Sequence, residues 1–114
     1  MEPDSVIVVF ITTPPDQASG IAQHLVENRL ASCVNIIPEV RSVYRWEGNV
    51  ENDAECLLVV KTTKVMFEVV SRAVRDIHPY SVPEIISLPL VDGYDGYLRW
   101  VRENVGPEVE PAVE

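Results

Sequence analysis

Cysteine is scarce in this chain: its 114 residues hold two, Cys33 and Cys56. Two thiolates fall short of the four an iron–sulfur cluster usually needs, and no CxxC pair offers a redox or soft-metal motif. Basic residues are scarce as well, 9 against 18 acidic ones, giving a formal charge of −9. That excess repels phosphate backbones, so no nucleic-acid role is expected. The longest apolar run, Val6 to Ile11, is far short of the ~20 residues of a membrane helix, so no membrane partner is expected either. The start, Met1-Glu2-Pro3-Asp4, lacks the basic region of a secretory signal. A cytoplasmic protein with reduced thiols is therefore expected, although one disulfide stays arithmetically open. No GxSxG, Walker loop, GxGxxG or HExxH occurs, which argues against an enzyme.

What the chain does have is apolar material: 46% hydrophobic residues with 24% charged, enough for a packed core. The length fits one domain over 1–105, followed by an acidic, proline-containing tail over 106–114 that is expected to be flexible. Val6-Ile7-Val8-Val9-Phe10-Ile11 reads as a central strand buried on both faces. Thr13-Pro14-Pro15-Asp16 is expected to open a helix over 15–31, with Thr13 as its cap. Val34 to Trp46 reads as strand, interrupted or not at Pro38, and Glu47-Gly48-Asn49 as a hairpin turn. The return strand ends at Cys56-Leu57-Leu58-Val59-Val60-Lys61. Met66, Val69, Val70, Ala73, Val74 and Ile77 carry helical spacing until Pro79 stops it. Ile85-Ile86-Ser87-Leu88 is a fourth strand, and Tyr94 to Val105 a last short helix. The order predicts an α+β fold: a ferredoxin-like βαββαβ sandwich with an antiparallel sheet, a long hairpin and an extra C-terminal helix.

Lengths predict more. A chain of this size has a diameter of roughly 34 Å, whereas an unbroken strand from Val34 to Trp46 spans ~43 Å. The hairpin should overhang its own domain and carry Tyr44 and Trp46 into water. Exposed edges bearing aromatics seek partners, so an oligomer is expected.

His78-Pro79-Tyr80-Ser81-Val82-Pro83-Glu84 gathers an imidazole, a phenol and a carboxylate on one short loop. Such groups suit a borderline metal, a small anion or proton exchange. A proline-braced turn whose polar groups bond only the backbone is the commoner meaning. Lys61-Thr62-Thr63 ends a strand before a helix, where an anion site and simple capping by Thr63 are both open. Glu47, Glu51, Asp53 and Glu55 read as a solvated acidic edge. His24, among Gln23, Glu27 and Asn28, is expected in solvent, and both cysteines as small hydrophobes.

Taken in order, these pieces resemble the CutA family of divalent-cation tolerance proteins. The residues that carry the likeness include Thr13-Pro14, Leu25-Val26-Glu27-Asn28-Arg29-Leu30-Ala31-Ser32-Cys33-Val34-Asn35 and Tyr44-Arg45-Trp46-Glu47-Gly48. Lys61-Thr62-Thr63, His78-Pro79-Tyr80, Val82-Pro83-Glu84-Ile85 and Tyr97-Leu98-Arg99-Trp100 continue it. The resemblance implies a homotrimer similar in architecture to PII signalling proteins. It also implies a role in tolerance to divalent metals, copper especially, by binding rather than catalysis. It assigns His78 as a metal contact and places Lys61, Trp46, Tyr80, Glu84 and Trp100 around an inter-subunit ligand pocket. Ile11 and Ile77 stand where some relatives carry a cysteine and a second histidine, so copper is expected to bind weakly and no cofactor to be obligatory. A small enzyme using His78, Tyr80 and Glu84 in that cleft is the alternative.

Overall fold

The computed structural model describes residues 1–107. Four strands form one antiparallel sheet in the order β2-β3-β1-β4, with β1 Val6–Thr13, β2 Cys33–Trp46, β3 Asn49–Thr63 and β4 Ile85–Pro89. Helices α1 (Ala18–Glu27) and α2 (Phe67–Ile77) join them, and α3 (Asp95–Glu103) follows β4. This is the expected ferredoxin-like βαββαβ order with its added helix. The tail from residue 108 on lies outside the described residues.

Strand β1 is central, but its two faces differ. Ile7, Val9, Ile11 and Thr13 are sealed beneath the helices, while Val8, Phe10 and Thr12 are only partly covered. The period of two along a strand turns alternate side chains to opposite faces, so the continuous apolar run serves two environments. Leu58 and Val60 of β3, Leu25 of α1 and Val70 and Val74 of α2 complete the core at 0% exposure.

Helix α1 is shorter than the expected 15–31, and Thr13 does not cap it. Thr13 stays in β1 opposite Cys56, and a turn closed by Gln17 N–H donating to the Pro14 carbonyl (3.0 Å) intervenes. The helix ends where Arg29 takes φ 58°. Leu30 N–H then donates to Leu25 O (2.9 Å) and Arg29 N–H to Val26 O (3.1 Å), a Schellman closure without glycine. The Arg29 guanidinium donates to Gly106 O (2.7 Å) and Glu103 O (2.9 Å), which ties this bend to the end of α3. Thr63, the other candidate cap, makes no side-chain capping bond and is buried. His78 has φ −77° and ψ 136°, the extended geometry that Pro79 imposes, so α2 stops at Ile77.

The hairpin overhangs as its length requires. The molecule measures 62 × 28 × 22 Å, and its radius of gyration of 15.5 Å exceeds the ~13 Å of a compact chain this long. Pro38 does not break β2. It sits in an edge strand, where a missing N–H is tolerated, and the ladder slips by one residue between Ile37–Leu57 and Val40–Glu55. Glu39 at φ 61° absorbs the bulge. At the tip, Glu47 (φ 49°) and Gly48 (φ 83°) both occupy the left-handed region of a two-residue turn, for which glycine is suited.

Candidate functional site

A cleft of about 720 Å³ lies between the hairpin and the loop that follows α2. The hairpin contributes Arg41, Ser42, Tyr44, Trp46 and Glu55, the loop contributes Pro79 to Val82 and Glu84, and Thr12 closes the floor. The loop is held there by three bonds. Tyr80 N–H donates to His78 Nδ1 (3.1 Å), which makes that nitrogen the acceptor of the ring. The proton therefore sits on Nε2, which donates to the Thr12 carbonyl (2.8 Å). The Tyr80 hydroxyl donates to Glu55 Oε2 (3.0 Å), bridging the loop to β3. His78 is buried, its ring 4.7 Å from that of Tyr80, so a neutral imidazole pins the loop onto the end of β1.

Both phenols of the cleft resist ionisation. Partial burial and the bond to Glu55 push Tyr80 up to about 12. Tyr44, whose hydroxyl donates to Asp53 at 2.5 Å, is also raised to about 12, chiefly by that bond, with the neighbouring carboxylates adding to it. The acidic hairpin edge is thus not uniformly solvated. Asp53 is exposed, but Glu55 is only 5% exposed and works as the acceptor for Tyr80.

Of the residues singled out in the sequence, Trp46, Tyr80 and Glu84 meet in this cleft, with His78 behind it. Lys61 and Trp100 do not line it. Lys61 pairs with Cys33 and Val8 in the sheet, and its ammonium donates to the Asn35 side-chain carbonyl. Trp100 lies on α3, half-exposed, 5.6 Å from the ring of Tyr97. The Tyr97 phenol is itself raised by burial and by the Cys33 thiol beside it. Tyr44, Glu55 and Arg41 are the cleft residues that the sequence alone did not assign to a site. The alternation of Glu51, Asp53 and Glu55 was a usable signal, since it puts all three on one face of β3.

Among the described residues no group of three or more His, Cys, Asp or Glu side chains converges as a metal cage. Cys33 and Cys56 are both free, on neighbouring strands, and His24 is exposed as expected. Among the described residues no helix is long and apolar enough to cross a membrane.

The family model described as CutA1 divalent ion tolerance protein matches residues 7–104. The divalent-cation tolerance protein CutA of Thermus thermophilus is 52% identical over 100 residues, covering 87% of this chain and 97% of that protein. Human protein CutA is 44% identical over 102 residues, 89% of this chain but 57% of the human one. The solved Thermus thermophilus structure superposes with a TM-score of 0.86 at 51% identity, covering 89% of this chain and 99% of that one.

Proposed function

Because the chain belongs to the CutA1 divalent ion tolerance family, we propose that it serves tolerance to divalent metal ions as a homotrimeric, cytoplasmic binding protein of PII-like architecture. The protruding hairpin carries this reading. Val43, Tyr44, Trp46 and Val50 leave 66%, 39%, 41% and 67% of their surface in water. An isolated hairpin is marginal in water, so apolar side chains at this density call for a neighbouring subunit. The open face of the sheet adds to the demand, with Ile37, Ile86 and Leu88 partly bare. Light scattering at micromolar concentration should give three times the 12.8 kDa chain mass; a monomer refutes the trimer. In cells lacking their own copy, expression of this chain should restore growth in elevated copper.

Copper itself binds weakly in this reading, at His78 with Glu84 or Tyr80 assisting. Both ring nitrogens already hold hydrogen bonds, so a metal at Nδ1 must displace the Tyr80 amide, a loss of about 1 kcal/mol. The same engagement leaves His78 no idle nitrogen for proton transfer, which disfavours the enzyme alternative. Calorimetric titration with divalent copper should show weak binding that His78→Ala removes. Equal affinity in the variant would put the metal elsewhere. The remaining expected pocket residues, Lys61 and Trp100, belong to this proposal only through the trimer, where a neighbouring chain would have to bring them to the cleft.

A further inference from the structure

Among the described residues Glu55 is the only buried carboxylate, at 5% exposure. Burying an anion is costly unless its oxygens are met by donors or a cation. The Tyr80 hydroxyl meets Oε2. No donor among the described residues takes Oε1, and Glu55 borders the cleft of about 720 Å³. The walls around it are aromatic: Tyr44, Trp46 and Tyr80 all line the same space, with Glu84 at the loop side. Rings beside a carboxylate in a partly desolvated cleft are the setting in which an organic cation gains both charge pairing and attraction to the ring π-systems.

We propose that this cleft binds a small organic ammonium ion, its nitrogen seated against Glu55 and its alkyl groups against Trp46 and Tyr80. A bare metal ion fits less well, because no three ligating side chains converge there. The single basic residue of the lining, Arg41, has its guanidinium on the Asn52 side-chain oxygen (2.7 Å). Besides the partial burial that dominates at Tyr80, the carboxylates of Asp53 and Glu55 help hold the Tyr44 and Tyr80 protons in place, and the same negative charge attracts a cation. The inference rests on reading the cleft as a ligand site and names the chemistry of its occupant.

Calorimetric titrations of the full chain with tetramethylammonium, butylammonium and tert-butanol test it. At least one ammonium ion should bind saturably, one per chain, while neutral tert-butanol of similar shape should not. In the nitrogen–proton NMR spectrum the Trp46 indole signal should shift on binding. Glu55→Gln should weaken binding at least tenfold, and Glu84→Gln about two- to fivefold. The Glu84 variant alters an exposed side chain and so serves even where Glu55→Gln disturbs folding. Tert-butanol binding equally well, or full affinity in both variants, overturns the inference. Copper binding with silent ammonium titrations overturns it and spares the metal reading; heat from neither overturns both.

Discussion

Strand β3 passes through two environments, and its two halves obey different rules. From Cys56 to Thr62 the odd and even residues separate cleanly, with Leu58, Val60 and Thr62 sealed at 0% exposure. From Asn49 to Ala54 no residue is buried, although the backbone ladder to β2 runs on unchanged past the bulge. Pairing with β2 runs through both halves, but pairing with β1 and burial belong to the inner half alone. The inner half is stabilised by what the chain itself supplies; in the proposed trimer a neighbouring chain covers the outer half.

Charging the outer half should produce the largest effect. Val43→Glu with Val50→Glu places two carboxylates on exposed surface that the proposed trimer covers, and the scattering mass should fall to that of one chain, with a large loss in melting temperature. An unchanged mass would mean that the hairpin stands alone. Leu58→Ala probes the inner half of the same strand. It should cost about 2–5 kcal/mol in urea unfolding while the assembly mass stays constant. Tyr80→Phe acts where the halves meet, leaving Glu55 without its donor, for about 1–3 kcal/mol.

The smallest effect is a pH dependence. Tyr44 and Tyr80 titrate near 12 in the fold against about 10 when unfolded. Between those values the unfolded chain has lost protons that the native state keeps, so stability falls as pH rises. The contribution is complete below pH 10 and gone above 12. Urea midpoints at pH 9, 10, 11 and 12 should decline through that window, and less steeply in the Tyr44→Phe/Tyr80→Phe double variant. A flat wild-type profile would remove the phenol–carboxylate pairs from the account.

The inner half was legible in the sequence because period and residue type agree there. The apolar positions of α2 and the β-branched run of β1 each have one reading. The overhang was legible from chain length alone. Local closures were not. Arg29 carries no mark of a left-handed residue, and its conformation depends on carbonyls of Glu103 and Gly106 more than 70 positions away. Thr13 looks like a cap by type, yet strand pairing with Cys56 claims it first. Glu55 looks like one more surface acid until Tyr80 folds over it. Within one chain strand order keeps Lys61, on the inner half of β3, and Trp100, on α3, apart from Trp46.

The bulge at Pro38 and Glu39 has a genetic consequence. Past it, Tyr44 lies opposite Glu51 and Val40 opposite Glu55. Because facing alternates with every residue, the single extra position decides which letters of β2 read onto the Glu55 side. Deleting one residue there would iron out the bulge and still leave Tyr44 opposite Glu51, whereas pairing the intact strand straight through without a bulge would bring Val43 opposite Glu51 and turn Tyr44 and Trp46 away from that surface. The spacing between Ile37 and Val40 is thus a reading frame written in protein rather than nucleotides, and losing one residue keeps that frame only if the bulge is lost with it.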